Sequence, residues 1–356
     1  MNSRFEIVVS DAAQRTQVFV GEGICPADLA GLPQASTVLP LVDAGVPSAH
    51  AVRTAALLSA LGQRVLPPLA LPLGEAAKSL DGFAALAEAA LNSGIDRDTR
   101  VVVVGGGATL DCGQFLAAVL LRGLDCCVVP TTLLAQVDAG VGGKCGLDAG
   151  PRKNQIGVIR QPIALLLDTG FLSTLPRGEV LSGLAEMAKV ALLAGGALHE
   201  AMHAHARSGA ALPSNALLAT CVEYKVRVVE RDPFERGERI LLNAGHTVGH
   251  ALEAASLEAG VVLPHGLCVA LGLRAEARHF AEQGAAAVEA LLDALGLPRR
   301  VPQGLDLERA VSFIVADKKR RGAQMRVPVI DAPGQVRVME CAVNDCVNAL
   351  RTLAAD

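Results

Sequence analysis

The stretch VVVVGGGATLD, residues 101–111, joins four valines to three consecutive glycines and a segment that favours a helix. An uninterrupted run of β-branched residues is typical of a strand buried on both faces, as in a parallel sheet. Glycines after such a strand let a ligand approach the backbone, and the N-terminus of the following helix favours a phosphate. Tight strand-to-helix turns also use glycine, and the spacing is not G-x-G-x-x-G, so this stretch alone leaves cofactor binding open.

The neighbouring segments repeat the alternation of strand and helix. An order of strand, helix and strand predicts a parallel sheet with right-handed crossovers. Beyond about residue 170 the apolar patterns become long and helical. We therefore predict a Rossmann-like parallel-sheet domain over residues 1–170 and an α-helical domain over residues 171–356. The predicted strands of the first domain include 37–43, 100–107 and 125–134, and its predicted helices include 49–62, 79–94 and 112–123.

Composition and charge exclude several classes of partner. The chain has 356 residues, no tryptophan and a net charge of −4 without a basic stripe, which argues against a nucleic-acid partner. The first residues, MNSRFEIVVSD, alternate like a strand and lack the pattern of a signal peptide, and no apolar run has membrane-spanning length. The nine cysteines follow no C-x-x-C pattern, so free thiols are favoured over disulfides. We expect a cytoplasmic protein without a membrane partner.

A glycine-rich segment over residues 130–157 is a candidate substrate-binding loop. It starts as a strand, and Asp138, Lys144, Lys153 and Asn154 are spread along it. Loops of this length inside a compact domain are usually functional, and two lysines near glycines suit an anionic substrate. The alternative is a solvated surface loop with ordinary lysines.

Several ionisable residues lie in apolar helical patterns and form a candidate metal site. Glu186 and Lys189 are three residues apart on one helix face, so they either pair with each other or bind a ligand. His246 and His250 share a second helix face, and His265 lies at a turn before another helix. A lone pair of histidines four apart can be a core pair. A third histidine and a carboxylate favour a metal such as zinc, with an open position for substrate.

With these motifs in this order, residues 74–320 resemble the 3-dehydroquinate synthase family of sugar phosphate cyclases. The resemblance rests on GGGATLD, VVPTTLLAQVD, GLAEMAK, NAGHTVGHALE and LPHG. It implies a Rossmann-like domain followed by a helical domain, with NAD and one divalent metal, usually zinc with cobalt as an alternative. The implied activity is a carbon–oxygen lyase reaction that converts 3-deoxy-D-arabino-heptulosonate 7-phosphate to 3-dehydroquinate and phosphate. This reaction belongs to the shikimate pathway of aromatic amino acid biosynthesis.

The family resemblance also implies a mechanism. NAD oxidises a ring hydroxyl to a ketone, which acidifies the adjacent C–H bond and allows phosphate to be eliminated. NADH then returns the hydride, and the opened ring closes by an intramolecular aldol step. The protein supplies orientation and charge to chemistry that belongs to the cofactor.

The resemblance assigns roles to individual residues. It implies that Glu186, His246 and His265 bind the metal, while His250 contacts substrate and helps to move protons. Arg122 matches an arginine that reaches the substrate phosphate of the neighbouring subunit, which implies a homodimer. The implied NAD-contacting positions are Asp43, Glu75, Lys78, Gly105, Gly106, Gly107, Asp111, Thr131 and Thr132, together with Lys144 and Lys153, which also lie in motifs that touch substrate. The other implied substrate-contacting positions are Asp138, Asn154, Lys189, Lys225, Arg239, Asn243 and Lys318.

Several positions depart from the usual family motifs. Leu267 stands where a glutamate usually follows the metal-binding histidine, and Arg160 stands where an aromatic residue is usual. A carboxylate beside a metal-bound histidine often orients the ring. The glycine-rich segment departs at Ala139, Gly140, Cys145 and Asp148.

These departures keep three alternatives open. The first is a cyclase for another sugar phosphate, such as sedoheptulose 7-phosphate or an amino analogue of the usual substrate. The second is an iron-type alcohol dehydrogenase with net hydride transfer, against which the GGK and KN motifs and Glu186 argue. The third is a non-catalytic copy, which the complete set of Glu186, His246 and His265 disfavours.

Overall fold

A computed structural model describes residues 3–8, 15–150, 152–321 and 324–354. The chain divides into two compact units, one of Met1–Leu175 with Val229–Pro233 and one of Pro176–Val228 with Phe234–Asp356. The division after Leu175 lies close to residue 170, where the sequence predicts a domain boundary. None of the helices in the described part of the chain is long and apolar enough to cross a membrane.

The first unit is built on one large sheet. Within the described residues the strand order is β1-β2-β10-β7-β6-β3-β4, with β5 also paired to β3, and β1 alone runs antiparallel to its neighbour. The strands are β1 Ser3–Val8, β2 Arg15–Gly21, β3 Ala35–Asp43, β4 Gly62–Val65, β5 Leu69–Leu71, β6 Thr99–Gly105, β7 Asp125–Pro130, β8 Lys144–Ala149, β9 Arg152–Ile159 and β10 Ala164–Asp168. The helices are α1 Ala51–Leu61, α2 Leu80–Asn92 and α3 Gly107–Val119.

The four-valine run is the buried centre of this sheet. It lies in β6, and its side chains are at most 1% exposed. Because β6 pairs in parallel with β3 and β7, the carboxyl ends of all three strands meet at one edge of the sheet. Ligands of open α/β sheets bind outside this edge. The predicted strands 37–43 and 100–107 and the parallel sheet are confirmed.

The prediction of a long loop over residues 130–157 is wrong. The segment contains a π-helical turn, Ala135–Ala139, and an antiparallel hairpin formed by β8 and β9. Gly146 and Gly157 face each other across this hairpin, and a Cβ on either would overlap backbone of the opposite strand. Glycine is depleted in most strands, so its presence does not predict a strand. The two residues that permit this close pairing therefore made the segment resemble a loop in the sequence.

The second unit is mainly helical. Its core includes Val248 and Leu252 of helix α7 and Leu271 of helix α8. The helices are α4 Arg177–Ala194, α5 Gly196–Ser208, most of α6 Asn215–Arg231, α7 His246–Ala259, α8 His265–Phe280, α9 Glu282–Ala294, α10 Leu307–Arg321 and α11 Val343–Arg351. The predicted α/β and helical organisation is confirmed, but a hairpin of β11 Gln324–Ala332 and β12 Gln335–Ala342 was not predicted.

Candidate functional site

The glycine turn after β6 is held by Asp43, the last residue of β3. The Asp43 carboxylate accepts hydrogen bonds from the Thr109 hydroxyl at 2.7 Å, the Gly45 N–H at 2.8 Å and the Gly106 N–H at 3.4 Å. A Cβ on Gly105 would lie 2.7 Å from side-chain atoms of both Asp43 and Thr109, so only glycine fits this position. The predicted NAD-contacting residues at this edge of the sheet therefore lie together.

Lys78 is the centre of a second group of predicted residues. Its side chain is 3% exposed, and its ammonium donates hydrogen bonds to Asp111 Oδ2 at 2.8 Å and to Asn154 Oδ1. Asp148 Oδ1 lies 3.8 Å from the same ammonium and accepts the Asn154 N–H at 2.7 Å. Lys78 thus joins the β8–β9 hairpin to α3.

Opposing effects set the charges in this group. Burial alone would lower the pKa of Lys78, but Asp111, Glu75 and Asp148 outweigh it and raise that pKa. Burial raises the pKa of Asp111 to about 6, against the lowering effect of Lys78. Lys153 lies at the margin of the group and donates to Glu75 Oε1 at 3.2 Å. The first unit therefore holds a buried ammonium among several carboxyl groups.

The remaining predicted residues of the first unit lie on the segments that follow β7 and α3. Thr131 and Thr132 come directly after β7, and the Thr132 hydroxyl accepts the Ala135 N–H at 3.1 Å. Asp138 lies in the π-helical turn, and Lys144 is an exposed residue at the start of β8. Arg122 is exposed after α3, in a left-handed backbone conformation with φ +68°.

Three histidine rings of the second unit converge. His246 begins α7, His250 lies one turn further on, and His265 begins α8. Ring centroids are 5.0 Å apart for His246 and His250, 5.4 Å for His246 and His265, and 5.7 Å for His250 and His265. One ring nitrogen from each lies within 4.8 Å of the others. Glu186 of α4 joins them, because its Oε1 lies 3.8 Å from His246 Nε2 and 3.7 Å from His265 Nε2.

Small residues and a buried carboxylate bring α7 and α8 into this arrangement. A Cβ on Gly272 of α8 would overlap the carbonyl of Gly245, and Gly245 itself has φ +76°. Glu276 of α8 accepts the N–H groups of Gly245 at 2.7 Å and Val248 at 3.2 Å. It thereby takes the place of a side-chain cap at the N-terminus of α7. Burial raises the pKa of Glu276 to about 8, although these N–H groups act in the opposite direction.

Hydrogen bonds define which ring nitrogens can bind a metal. His246 Nδ1 lies 3.1 Å from the Ala244 carbonyl and His265 Nδ1 lies 3.1 Å from Glu253 Oε2. Because both partners can only accept, each Nδ1 carries the hydrogen, and in a neutral imidazole the lone pair is then on Nε2. Burial, followed by the charges of Lys189, His250 and His265, holds the pKa of His246 well below its usual value. His246 is therefore a neutral imidazole at neutral pH.

Glu186 makes the histidine group a candidate metal site. Its side chain is 1% exposed, and its Oε1 receives no hydrogen bond within the part of the chain that the structure describes. Its Oε2 is paired with Lys189, which is the ion pair that the sequence left open. Three atoms that can act as acceptors thus converge, because Glu186 Oε1 lies within 3.8 Å of the Nε2 atoms of His246 and His265. A cation fits this arrangement, and carboxylate oxygen and imidazole nitrogen are zinc ligands.

The other predicted residues of the second unit lie on α6, on the segment before α7 and on α10. Lys225 and Arg239 are buried, and Asn243 Nδ2 donates to Glu235 Oε1 at 2.6 Å. Lys318 belongs to α10, but its side chain lies outside the described residues.

Sequence reasoning missed four residues that organise these groups: Thr109, Glu235, Glu253 and Glu276. Glu253 had a signal that could have found it. It lies three residues after His250 and seven after His246, so it shares their helix face. Glu276 had no such signal, because it acts on the backbone of another helix.

Comparisons with known proteins identify the family. Residues 68–182 match the family model for the N-terminal part of 3-dehydroquinate synthase, and residues 183–320 match the model for its C-terminal part. A 3-dehydroquinate synthase of Xanthomonas campestris pv. campestris is 36% identical over 348 residues, which cover 92% of this chain and 93% of the relative.

Two solved structures show the same fold. A 2-deoxy-scyllo-inosose synthase, complexed with carbaglucose-6-phosphate, NAD+ and Co2+, has a TM-score of 0.85 and 23% identity, with 98% of this chain and 100% of that chain covered. A 2-epi-5-epi-valiolone synthase from Streptomyces hygroscopicus subsp. jinggangensis, with NAD+ and Zn2+ bound, has a TM-score of 0.82 and 24% identity, with 98% and 99% covered. On the two family models and the curated relative, the chain belongs to the 3-dehydroquinate synthase family.

Proposed function

We propose that this protein catalyses the conversion of 3-deoxy-D-arabino-heptulosonate 7-phosphate to 3-dehydroquinate and phosphate, with NAD and a divalent metal. The observation that carries the proposal is the convergence of Glu186 Oε1 and two histidine Nε2 atoms within a chain of this family. Membership of the family supplies the reaction, and the three acceptor atoms supply a place for the metal.

We assign the metal to Glu186, His246 and His265, and we favour zinc. The donor set of one carboxylate and two imidazoles leaves a coordination position for substrate, as in catalytic zinc sites. When bound, the metal would polarise the hydroxyl group whose hydride NAD removes and returns. Lys189, paired with Glu186, places a positive charge beside the same carboxylate.

His250 is assigned to proton movement and not to the metal. It is exposed, whereas His246 is buried, and the contacts to Glu186 Oε1 belong to His246 and His265. An exposed imidazole next to a metal site suits proton exchange with a bound substrate near neutral pH.

The other substrate and cofactor contacts follow from charge and position. Cationic groups are assigned to the phosphate and carboxylate of the substrate, because a clamped phosphate is also a positioned base. They are Lys144, Lys153, Lys189, Lys225, Arg239 and Lys318. Asp138, Asn154 and Asn243 are assigned to substrate hydroxyl groups. NAD is assigned to the sheet edge formed by Asp43, residues 105–107, Thr131 and Thr132, together with Glu75, Lys78 and Asp111.

We further propose a cytoplasmic homodimer. Arg122 is exposed beyond the end of α3, where it can contact a second copy and reach the substrate phosphate bound there. An Arg122→Ala variant mixed with a different inactive variant is expected to regain part of the activity. Absence of any rescue on mixing would count against a shared site.

The test of the proposed function is phosphate release by zinc-loaded protein supplied with NAD and 3-deoxy-D-arabino-heptulosonate 7-phosphate. The product is identified by NMR, and 3-dehydroquinate is expected. No phosphate release from this substrate would overturn the proposal.

Parallel reactions separate the alternatives. Phosphate release only from sedoheptulose 7-phosphate or from an amino analogue would identify a cyclase with another substrate. Net production of NADH from a simple alcohol would indicate an alcohol dehydrogenase, because a cyclase returns its hydride within each turnover. Inactivity in every reaction would indicate a non-catalytic copy.

A further inference from the structure

Glu253, the last residue of the motif NAGHTVGHALE, touches one of the assigned metal ligands, although the resemblance assigns it no role. It lies on α7, and its Oε2 is 3.1 Å from His265 Nδ1 at the start of α8. Its side chain is 17% exposed, so the contact is partly shielded from water. Shielding strengthens a hydrogen bond between an imidazole N–H and a carboxylate.

The contact determines which nitrogen of His265 is available. An ionised carboxylate can only accept, so Nδ1 carries the hydrogen, and in the neutral ring the lone pair is then on Nε2. That Nε2 is the atom 3.7 Å from Glu186 Oε1. Without Glu253, the ring could place its hydrogen on Nε2 or rotate away from Glu186.

The two assigned histidine ligands differ in this respect. The Nδ1 of His246 is held by the backbone carbonyl of Ala244, which no side-chain substitution removes. The Nδ1 of His265 is held by a side chain on a different helix. His265 is also the ligand followed by Leu267, where the family usually has a glutamate.

We propose that Glu253 is a positioning residue that fixes the tautomer and ring orientation of His265 and thereby raises the affinity of the site for its metal. This inference rests on the proposed function, because it takes His265 as a metal ligand. Carboxylates that accept from the second nitrogen of a metal-bound histidine commonly contribute 10–100-fold to metal affinity.

The test compares metal binding by the wild type, Glu253→Ala and Glu253→Gln in the absence of substrate. The dissociation constant for zinc is measured by competition with a chromogenic chelator, and visible absorption bands of bound cobalt(II) report the coordination geometry. We expect zinc binding to weaken by about 10–100-fold in Glu253→Ala. A smaller weakening is expected in Glu253→Gln, whose amide oxygen can still accept from Nδ1 but lacks the charge.

Glu258→Gln is the matched control. Glu258 lies on the same helix, but its carboxylate is paired with Arg309 at the surface. This variant should bind zinc as the wild type does, with unchanged cobalt(II) bands.

The outcomes distinguish a failure of this inference from a failure of the proposed function. A wild-type dissociation constant in both Glu253 variants would overturn the inference while leaving the proposed function intact. If Glu253→Ala does not fold, Glu253→Met takes its place, because a thioether leaves Nδ1 without a carboxylate or amide acceptor, and wild-type zinc affinity in that variant counts as refutation. A wild-type protein that binds no zinc would overturn the assigned metal site and the inference together.

Discussion

Around Lys78 in the first unit the buried polar groups bond to one another, whereas around Glu186 in the second unit three acceptor atoms converge. Lys78 is surrounded by Asp111, Asn154 and Asp148, and each of these contacts pairs a donor with an acceptor. Around Glu186 the facing atoms are a carboxylate oxygen and two imidazole Nε2 atoms. The first arrangement pairs donors with acceptors within the protein, and the second is the one to which we assign a cation.

A ligand is therefore expected to contribute differently to the two regions. A buried group that is already hydrogen-bonded in the free protein is oriented before its ligand binds. Ligand binding then costs less conformational entropy. A set of converging acceptors is unfavourable without a positive charge, so ligand binding and local stability become coupled. Substitutions around Lys78 should therefore lower stability, whereas substitutions around Glu186 should lower metal binding.

The largest effect is expected from Glu186→Ala. Loss of the carboxylate removes one assigned ligand, so metal binding and turnover should fall together. Because a metal acting as a Lewis acid supplies several kcal/mol, the loss of activity should be about a thousandfold or more. Metal content and turnover are the measurements, circular dichroism checks that the fold is intact, and Glu179→Ala on the same helix is the control. Full activity of the wild type in metal-depleted buffer would contradict a role for Glu186 in binding a catalytic metal.

Lys78→Met should lower the free energy of unfolding, whereas Glu186→Ala should lower metal binding. It leaves Asp111 and Asp148 without the ammonium between them, and removing one partner of a buried ion pair costs about 3 kcal/mol. The free energy of unfolding in urea is the measurement. Adding Asp111→Asn should restore much of the loss, because the carboxylate that lies 2.8 Å from the ammonium is then replaced by a neutral side chain. An equal loss in the single and double variants would show that the ion pair is not the cause.

Glu276→Gln should change how stability depends on pH. The folded-state pKa of Glu276, about 8, exceeds that of an exposed glutamate, so the folded protein binds the proton more tightly than the unfolded chain. Its contribution is fully present below the unfolded-state pKa and is lost as pH rises through about 8. Between about pH 5 and about pH 7 the wild type should lose on the order of 2 kcal/mol more than Glu276→Gln, since one pKa unit is ~1.4 kcal/mol. Parallel pH profiles for the two proteins would contradict this.

Thr109→Val should give the smallest effect. It keeps the shape of a fully buried side chain but removes the hydroxyl that donates to Asp43, while the Gly45 and Gly106 N–H groups remain. A hydrogen bond to a charged group contributes about 1.5 kcal/mol, so NAD should bind roughly tenfold more weakly. Isothermal titration measures this, with the exposed Thr220→Val as control. Unchanged NAD affinity would show that the hydrogen bond from Thr109 to Asp43 does not contribute to NAD binding.

Residues with one dominant local signal were predictable, and residues that act through another element were not. The valines of β6 and the histidine spacing of α7 follow from periodicity, so the sheet and the helix face could be predicted. The β8–β9 hairpin could not, because Gly146 and Gly157 favour turns in isolation and become strand residues only against each other. Tertiary pairing overrode local preference there.

The same distinction applies to the candidate site. Family motifs place Lys78, Asp111 and Asn154 in ligand-contacting segments, but nothing local indicates that Lys78 bonds to both of the others. Glu276 and Thr109 are likewise defined by partners at a distance along the chain, on another helix or another strand.

Before β7, Arg122 combines a backbone conformation that lowers stability with a side chain to which we assign a role in binding. Leu121, Arg122 and Gly123 have φ values of +49°, +68° and +116°, and the guanidinium of Arg160 donates to the Ala118 carbonyl beside them. A left-handed conformation costs a non-glycine residue about 1–2 kcal/mol. Glycine at position 122 would relieve that cost but would remove the side chain assigned to the partner's substrate. Arg122→Gly is therefore expected to raise the free energy of unfolding while removing the side chain that we assign to binding.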